Sequence, residues 1–576
     1  MSARPFIAHP LVLRRASVAR ITDVTPRMRR VTLSGEQLGS FERNGLAHPP
    51  FRSPMFDDHV KLLFATDGPI EDVLPHQLAH GIEWPATETR AGRDYTPRYV
   101  REGELDLDFV MHADGHDAGP AEAWARGAQA GDDLWFVGPK SSSVIPDDAD
   151  RVVMIGDETA LPAIGRFFEE RPRSVPVRAA ILVADVSARQ ELTLRDDDHV
   201  VWLVAEPGDA AGVERALAAL GEHAFTGSPF VWAAAESRTL LPLRRALTRV
   251  HRVPKSHQDI TGYWHERSEE QTQASDSAPG GGSHPDPVPS PVAWFAVRAA
   301  LRLGLLDALD ERPCSSTDLA AQVNVDPGAM ESIIAVLIAH GLLTRGADEL
   351  RLSDLGAELC ADEHERERFD GAEADQMIAL RHLDDAIRTG DSAWRREHGS
   401  TMAELALTHQ AIRDELTEHA EALTYLMPAL IAAAPWDGEG TLSVHGPGAA
   451  VVGQALHDAG DATSARMRDR NADVQIHARA LAHLTDAEAF AHMAAVSAAA
   501  LIVIEATKAD LLDPHAADHQ LLQYAVTGAP PRTSSRLVAL AAQAGWKTTS
   551  VQELGWGVSC LLMHRNSGPI AAANPA

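Results

Sequence analysis

The chain has 576 residues, of which 45% are apolar, so it is too long for one hydrophobic core and can build several domains. Its formal net charge of −30 at pH 7 disfavours nucleic acid and anionic membranes as partners, because both are bound by clustered Lys and Arg. The three cysteines lie far apart and support neither a disulfide framework nor a cysteine-rich metal site. Without a stretch that resembles a signal peptide or a membrane span, the sequence predicts a cytoplasmic protein.

The first predicted domain, residues 1–148, consists of short alternating apolar runs separated by turn residues. We predict strands over 12–24, 29–35, 59–65, 105–112 and 133–138. Runs of this kind are typical of a small antiparallel β-barrel.

In the second predicted domain, residues 149–266, apolar strands alternate with helices. We predict strands over 151–156, 177–184, 199–206 and 230–235. The alternation indicates a parallel sheet with crossover helices, as in nucleotide-binding α/β domains. A barrel followed by such a domain suggests a flavin and nicotinamide reductase architecture, although this pattern alone fixes no chemistry.

Residues 267–290 are rich in Ser, Gly, Pro and acids, and we predict a flexible linker there. The following domain, 291–435, is predicted to be mostly helical, with Ser315 or Ser316 capping one helix. Its neighbour begins at Asp326-Pro327, with proline near the favoured first turn.

A two-stranded wing is predicted over 344–356, which completes a winged-helix pattern. A winged helix either reads DNA or forms a dimerisation platform. The helix over 328–343 carries no Arg or Lys and the chain is acidic, so we expect a homodimer and no nucleic-acid partner.

The segment Arg93-Asp94-Tyr95-Thr96 combines three groups that a flavin enzyme needs. On a strand, the Arg93 guanidinium can bind phosphate, the Tyr95 ring can cover the flavin, and the Thr96 hydroxyl can approach N5, the hydride-accepting atom. The alternative is an ordinary strand with salt-bridged arginines.

The stretch Gly156–Ile164 follows a strand and begins a helix, so its free backbone N–H groups could contact a phosphate or the flavin edge. Candidate cofactor-binding positions here are Asp157, Thr159 and Ala160. The carboxylates of Asp157 and Glu158 would repel a diphosphate unless they point away or bind hydroxyls or the nicotinamide amide. The alternative is an ordinary turn between strand and helix.

His112 and His116, with Asp114 and Asp117 beside them, could also suggest a metal site. These ligands are crowded on one loop and no fourth ligand is evident, so we expect no metal there.

These motifs occur in the order found in the siderophore-interacting protein family, a branch of the ferredoxin-reductase-like flavoenzymes, which residues 10 to 265 resemble. The matching pieces are FDDHVKLLF (56–64), RDYTPR (93–98), DLDFVMH (106–112), GPAEAW (119–124), GDETALPAI (156–164), VWAAAE (231–236) and TGYW (261–264). The resemblance implies FAD as cofactor, NADPH or NADH as hydride donor and a ferric siderophore as electron acceptor.

By the same resemblance, Arg93 binds the FAD phosphates, Tyr95 stacks on the isoalloxazine, and Thr96 lies near N5. Arg98 is structural or reaches the cofactor. The remaining positions border the diphosphate: His112, Gly119, Pro120 and Ala121.

Ferric siderophores often carry negative charge, so the acceptor site needs cations near the exposed flavin edge. Lys61 is the leading candidate, together with His59 and Arg238. In the family a basic residue commonly follows the GYW motif, whereas His265 stands here.

The second half resembles the small-molecule O-methyltransferases that dimerise through a winged-helix domain, with 436–568 as the methyltransferase-like domain. Matching pieces are AVRAALRLGLLDAL (296–309), SDLGAELC (353–360), HLDDAIRTGDSAWRREHGSTMAEL (382–405), LIVIEA (501–506) and TGAPPRTSSRLVALAAQAGW (527–546).

The methyltransferase-like domain departs from that family in its cofactor loop, Leu442–Gly453. Ser443 replaces an acid, whereas His445, Pro447 and Ala449 replace glycines. No clear second strand ending in an acid follows, and His483 lacks the Asp-Trp pair of the catalytic segment. We therefore expect a shortened, catalytically silent module that does not bind S-adenosylmethionine (SAM).

The function expected from these patterns is an FAD-dependent NAD(P)H:ferric-siderophore reductase that releases Fe(II) in the cytoplasm. One alternative is a bifunctional protein whose second half is an active SAM-dependent O-methyltransferase. Another is a non-enzymatic, flavin-containing siderophore-binding or sensing module.

Overall fold

The computed structural model describes residues 6–85, 87, 89–111, 119–264, 291–346, 349–433, 436, 440–460, 466–468, 472–510 and 515–565. His112, the metal alternative around it, the predicted linker 267–290 and His265 all lie outside the described residues. Among the helices of the described parts, none combines the length and apolar character that a membrane crossing requires.

The N-terminal region is built on strands with one short helix. The strands are β1 (Phe6–Ala8), β2 (Leu13–Thr25), β3 (Met28–Ser34), β4 (Phe41–Arg43), β5 (Leu46–His48), β6 (Val60–Ala65), β7 (His76–Gln77), β8 (Ile82–Glu83), β9 (Arg90–Tyr95), β10 (Pro97–Arg101), β11 (Glu104–Val110), β12 (Asp133–Val137) and β13 (Ser141–Ser143), and the helix is α1 (Pro120–Gly127). Each of the five predicted strands is confirmed, with ends shifted by at most two residues.

Seven of these strands form one antiparallel sheet in the order β10-β11-β3-β2-β12-β6-β9. Alternate residues point to a common buried core, for example Val31 and Leu33 of β3, and Leu105, Leu107 and Phe109 of β11. This alternation of buried and exposed positions is the pattern from which the strands were predicted. Strand β9, which carries the candidate flavin residues, lies at one edge of the sheet.

The next region is a five-stranded parallel sheet in the order β16-β15-β14-β17-β18. Its elements are β14 (Arg151–Gly156), α2 (Leu161–Glu170), β15 (Val177–Val183), β16 (His199–Val204), α3 (Ala210–Leu220), β17 (Pro229–Glu236), α4 (Leu241–Arg245) and β18 (Gln258–Trp264). The four predicted strands are confirmed, and apolar clusters cover both faces of the sheet. Because the strands are parallel, β14, β17 and β18 end at one edge, where α/β sheets bind their ligands.

The region after the undescribed segment is mainly helical. Its elements are α5 (Val292–Arg302), α6 (Leu305–Glu311), α7 (Ser316–Gln322), α8 (Pro327–Ala339), β19 (Leu343–Arg345), β20 (Leu350–Leu352), α9 (Asp354–Ala361), α10 (Glu363–Asp370), α11 (Ala372–Ala379), α12 (Leu383–Thr389), α13 (Ala393–His398), α14 (Met402–Thr408), α15 (Gln410–Glu421) and α16 (Met427–Ala433). The predicted caps are confirmed at Ser315, whose hydroxyl accepts from the N–H of Asp318, and at Asp326, which precedes Pro327. β19 and β20 pair antiparallel, as predicted for the wing.

The last region is a five-stranded sheet in the order β21-β22-β23-β25-β24. Its elements are β21 (Leu442–His445), α17 (Ala449–Asp458), β22 (Val474–Ala478), α18 (Asp486–Ala495), β23 (Ala500–Ala506), α19 (Ala516–Thr527), α20 (Ser534–Gln543), β24 (Trp546–Gly555) and β25 (Val558–Arg565). The sequence analysis predicts no clear second strand ending in an acid here, and the structure shows β22, which ends at Ala478 and pairs in parallel with β21 and β23. The strand is short and lies in an Ala-rich stretch, where five alternating residues are a weak signal.

The two halves of the chain contact each other through a small aromatic interface. Trp556 packs against an apolar cluster of the N-terminal region, and its ring lies 5.5 Å from that of Tyr425. Tyr425 also stacks on Phe6 at 5.2 Å and covers the Lys140 ammonium at 4.6 Å from the ring centroid. Burial lowers the pKa of Lys140; the charge of Asp94 opposes this shift, and the charge of Lys61 adds to it. The second half therefore buries a cation that lies close to Lys61.

Candidate functional site

A cleft separates the edge of the seven-stranded sheet from the carboxyl ends of the parallel strands. Its walls come from β9, the start of α1, the turn after β14 and the end of β18. The turn that follows β16, residues 205–209, also lines the cleft. This edge of a parallel sheet is the usual position for a nucleotide, so the cleft is the candidate site.

Arg93 lines the cleft from β9. Its Nη1 donates 2.7 Å to the backbone carbonyl of Gly92, and among the described residues no carboxylate lies within salt-bridge distance of its guanidinium. A cation that faces a cleft without a carboxylate partner can neutralise a bound phosphate. The alternative of a salt-bridged structural arginine is therefore not seen for Arg93 among the described residues.

Tyr95 is half-buried at the end of β9 and lines the same cleft. Its ring packs on Phe109 with centroids 4.4 Å apart, and this contact fixes the plane of the phenol. Burial, followed by the Glu122 charge, raises the pKa of Tyr95, so its hydroxyl is neutral at physiological pH. The ring is a held aromatic surface of the kind that a flavin can stack on.

Thr96 is 5% exposed and lines the cleft directly after Tyr95. Tyr263, which comes from β18 of the parallel sheet, lines the same cleft. The segments RDYTPR and TGYW, far apart in sequence, therefore both contribute to the lining of this cleft.

The start of α1 faces the cleft through Gly119 and Ala121. Gly119 is the N-cap of the helix, and Pro120 occupies its first turn without lining the cleft. First-turn N–H groups have no partner within a helix, so they can donate to an anion. Of the four residues predicted to border a diphosphate, the structure brings Gly119 and Ala121 to the cleft, and His112 is not described.

The carboxylate of Asp157 is saturated by hydrogen bonds. Oδ1 accepts from the backbone N–H of Thr159 at 2.8 Å and from its hydroxyl at 2.5 Å. Oδ2 accepts from the indole of Trp264 at 2.8 Å and from the N–H of Glu236 at 3.2 Å. Burial raises the pKa of Asp157 against these stabilising bonds. The carboxylate thus joins the ends of three strands.

Glu158 is paired with Arg27. The Arg27 Nε lies 3.1 and 3.0 Å from the two carboxylate oxygens, one of which also accepts from the N–H of Ala184 at 2.7 Å. Glu158 is 6% exposed, and Arg27 also lines the cleft. The repulsion that two carboxylates would exert on a diphosphate is therefore offset, through hydrogen bonds at Asp157 and an ion pair at Glu158.

Arg98 lies away from the cleft lining. Its two terminal nitrogens donate to Glu169 on α2 at 2.8 and 2.7 Å, and the side chain is 5% exposed. Of the two roles considered for Arg98, the observed ion pair corresponds to the structural one. Ala160 is fully buried in the apolar core and does not line the cleft either, whereas Thr159 does.

The three candidate acceptor cations also lie outside the lining of the cleft. Lys61 is paired with Asp94, its cross-strand neighbour, at 2.9 Å, and Asp94 itself faces the cleft. His59 is half-buried beside β6. Arg238 follows β17, and its backbone N–H donates to Glu236 at 2.7 Å.

The structure adds site residues that the sequence did not single out. Arg27, Tyr263 and Trp264 line the cleft, as does the turn 205–209. The TGYW motif matches the family, but the sequence analysis predicts no role for its side chains. Arg27 lies 131 positions from its partner Glu158, and no local pattern predicts such a pair.

The glycine-rich loop of the second half is packed against its own sheet. A Cβ at Gly446, which has φ +95°, would come within 2.6 Å of the Ala478 carbonyl. The N–H of Gly448 donates to the same carbonyl at 3.1 Å. The adjacent strand β22 ends at Ala478 and is followed by Arg479, so no acid stands at its end. The glycines here permit close packing of the chain on itself.

Known proteins resemble the two halves separately. Residues 17–143 match the siderophore-interacting FAD-binding domain family, 149–267 the siderophore-interacting protein family, and 292–355 the O-methyltransferase dimerisation domain. The NADPH-dependent ferric-chelate reductase of Escherichia coli is 30% identical over 263 residues, which are 45% of this chain and 95% of that protein.

Two further relatives show the same coverage pattern. The ferric vibriobactin reductase ViuB of Vibrio cholerae is 28% identical over 42% of this chain and 85% of its own length. A crystal structure of a siderophore utilization protein from T. fusca is 35% identical, with a TM-score of 0.39, and covers 46% of this chain and 96% of that one. Through its N-terminal half, this chain belongs to the siderophore-interacting protein family, and a methyltransferase-type region with an O-methyltransferase dimerisation domain follows that half.

Proposed function

We propose that the chain is an FAD-dependent NAD(P)H:ferric-siderophore reductase that releases iron as Fe(II) in the cytoplasm. The first two predicted domains, 1–148 and 149–266, would carry this activity, with the seven-stranded sheet closing as the flavin barrel. The observation that carries the proposal is the charge arrangement of the cleft. Arg93 faces it without a described carboxylate partner, while the acids at 157 and 158 are held by other groups.

The residues present fit FAD. Arg93 and the N–H groups at the start of α1 would hold the diphosphate, the Tyr95 ring would cover the isoalloxazine, and Thr96 would lie near N5. FAD, when bound, would supply the chemistry that couples a two-electron nicotinamide donor to one-electron iron acceptors. The protein itself would bind and orient the reactants and exclude water from them.

The proposed acceptor site lies on the Asp94 side of the cleft. Asp94 lines the cleft and is ion-paired with Lys61. The charges of Asp94 and Lys61 both act on Lys140, so two cations lie near this part of the cleft. An anionic ferric chelate would be attracted there, because Fe(III) held by hard oxygen ligands often carries net negative charge. Relatives named ferric-chelate and ferric-vibriobactin reductases support iron as the acceptor. Reduction to Fe(II) would release the metal, because Fe(II) binds oxygen ligands more weakly.

For the second half we propose a homodimer through the winged-helix region and no methyltransferase activity. On α5, Val292 and Phe295 are each more than half exposed, as expected of a face that packs against a second copy. Two observations support a methyltransferase-like domain that is catalytically inactive and does not bind SAM: the loop at Gly446 is packed against its own sheet, and no acid follows β22.

The experiment is an absorption spectrum of the purified full chain, followed by FAD titration of the apoprotein. We expect flavin bands near roughly 380 and 450 nm. Arg93→Ala should weaken FAD binding about 10- to 100-fold, since a charge-assisted contact contributes about 1.5 to 3 kcal/mol. Arg101→Ala is the matched control, because Arg101 is held by Glu104 and Asp106 away from the cleft.

Colourless protein that takes up no FAD, or equal affinity of the two arginine variants, would contradict the proposed site. The alternatives give different outcomes. Flavin that stays oxidised with NADH and NADPH in the presence of a ferric siderophore would favour a sensing module. Calorimetric binding of SAM to the full chain, and its loss in Gly446→Val, would favour the bifunctional protein.

A further inference from the structure

The candidate cleft is lined from both edges of the parallel sheet. Trp264 ends β18, and the turn 205–209 follows β16. β16 and β18 are the two edge strands of this sheet, separated by four strand spacings of about 4.8 Å, or roughly 19 Å in all. A nicotinamide dinucleotide laid along the carboxyl ends of the strands therefore has one end near β18 and the other near β16.

The flavin end of the cleft lies beside β17 and β18. Phe56 of the N-terminal region packs on Trp232 of β17 with ring centroids 5.6 Å apart, and Ser143 donates to Asp259 of β18 at 2.9 Å. The proposed flavin contacts on β9 line the cleft from that N-terminal region. Because hydride transfer requires the nicotinamide to lie against the flavin, the adenosine end of the dinucleotide extends toward β15 and β16.

The lining at the β16 end is acidic. Glu206 is exposed, and within the described parts of the chain no donor or cation contacts its carboxylate. Asp209, the second acid of the turn, caps α3: its carboxylate accepts from the N–H of Ala211 at 2.9 Å and lies 3.5 Å from Arg215. The N–H of Asp209 also donates to the Glu206 carbonyl at 3.1 Å, which closes the turn. Glu206 is therefore an uncompensated carboxylate on a fixed turn.

The described residues at this end offer no ready partner for a phosphate. The arginines in the described lining are Arg27, which is already ion-paired, and Arg93, which lies on β9 in the other sheet. Arg215 of α3 does not line the cleft, and it donates to a backbone carbonyl at 3.2 Å besides its contact with Asp209. The start of α3 is no anion site either, because the Asp209 carboxylate occupies it.

We propose that the chain selects NADH over NADPH as its hydride donor, and that Glu206 is the specificity-determining residue. The inference rests on the proposed reductase function. NADH and NADPH differ only at the 2′ position of the adenosine ribose. A carboxylate accepts hydrogen bonds from the free 2′- and 3′-hydroxyls of NADH, as acids do in other dinucleotide sites.

The 2′-phosphate of NADPH reverses this interaction. It replaces a hydroxyl donor with a group that carries a charge of about −1.5 to −2 at pH 7 and places that charge beside Glu206. Discrimination of this kind depends on repulsion of the wrong ligand as much as on attraction of the right one. Because Glu206 is exposed, the repulsion is screened by salt, so the preference for NADH should weaken as ionic strength rises.

The first test measures binding without turnover. The full chain is titrated by calorimetry with ADP-ribose and with 2′-phospho-ADP-ribose, which share the adenosine end of the two donors and carry no nicotinamide. ADP-ribose should bind about tenfold or more tightly than its 2′-phosphate, and Glu206→Ser should remove most of that preference. Glu214→Ser is the matched control, because Glu214 is an exposed acid of α3 outside the cleft lining. Equal or tighter binding of the 2′-phosphate, an unchanged preference in Glu206→Ser, or no binding of either nucleotide would overturn the proposal.

The second test compares kcat/KM for NADH and NADPH in Fe(II) formation. The ratio should favour NADH in the wild type and in Arg215→Ala, and it should shift toward NADPH in Glu206→Ser through KM more than through kcat. A selective loss of NADPH use in Arg215→Ala would show a phosphate site on α3 and refute the inference. Equal use of both donors would also refute it and leave the reductase function intact. If neither donor gave Fe(II), the reductase function would fail, and the nucleotide titration would still decide the preference.

Discussion

The indole nitrogen of Trp264 donates a hydrogen bond of 2.8 Å to the carboxylate of Asp157. This bond joins the turn after β14 to the end of β18, across 107 positions of sequence. Two segments that the sequence marks as separate motifs therefore build one wall of the cleft. The same carboxylate holds Thr159 and the N–H of Glu236, so Asp157 organises the carboxyl edge of the parallel sheet.

Asp157→Ala is expected to destabilise the α/β region by about 3 kcal/mol, because it leaves several buried donors without an acceptor. Asp185→Ala is the matched control: Asp185 also caps a short helix, but it is fully exposed, so its loss should shift the denaturation midpoint clearly less. Urea denaturation followed by tryptophan fluorescence measures both. Equal shifts of the two midpoints would show that Asp157 is an ordinary cap.

Arg27→Ala is expected to weaken FAD binding about tenfold, although Arg27 was not predicted as a site residue. Removing the guanidinium leaves the buried Glu158 carboxylate uncompensated beside the cleft, where it repels a diphosphate. Adding Glu158→Gln to Arg27→Ala should restore most of the affinity. If the double variant binds FAD no better than Arg27→Ala, the repulsion is not the cause.

The C-terminal sheet is expected to lose stability in acid through His477. This side chain is 3% exposed, and its Nδ1 lies 2.7 Å from the Nε2 of His492. Burial, then the charges of His492 and His445, lower its pKa from 6.5 to about 3. The unfolded chain therefore binds the extra proton between these values, so stability is complete above pH 6.5 and falls below it by about 1.4 kcal/mol per pH unit.

Chemical denaturation of the wild type and of His477→Gln at pH 7.5 and pH 5 measures the effect. For the wild type, His477 alone should lower the free energy of unfolding by roughly 2 kcal/mol between these two pH values. Titration of other groups cancels in the comparison, and the variant should depend less steeply on pH. Parallel pH dependence of the two proteins would contradict the assignment.

The contact between the halves is expected to open in Gly81→Ala. A Cβ at position 81 would lie 2.1 Å from the Leu554 carbonyl of the C-terminal sheet, closer than any real contact. Gly127→Ala is the control, because a Cβ there meets nothing within 4 Å. Small-angle X-ray scattering should show a larger radius of gyration for Gly81→Ala only. Equal radii of gyration for both variants would contradict this expectation, because they would show that the two halves stay in contact in Gly81→Ala.

Local signals predicted much of this fold. The alternation over 29–35 marked β3, and Ser315 and Asp326 marked helix starts, because a cap or a buried face depends on neighbouring residues. β22 was not predicted, because five residues inside an Ala-rich stretch show too few alternating apolar positions to indicate a strand.

The candidate site was predictable only where a motif carried it. Arg93, Tyr95 and Thr96 are consecutive or nearly so, and all three line the cleft. Arg27 acts through a partner from another domain, which no spacing in the sequence reveals. Arg98 belongs to the same motif, yet the Arg98 guanidinium is ion-paired with Glu169 of helix α2 and does not line the cleft.

The most direct test of the central claim is formation of Fe(II) from a ferric siderophore by the full chain under anaerobic conditions. A ferrous-specific chelator reports the product, with NADPH or NADH as donor. We predict two Fe(II) for each nicotinamide oxidised, dependence on added FAD in the apoprotein, and a strong loss of rate in Arg93→Ala at limiting FAD. FAD-loaded protein that oxidises nicotinamide without producing Fe(II) from any ferric siderophore would contradict the account.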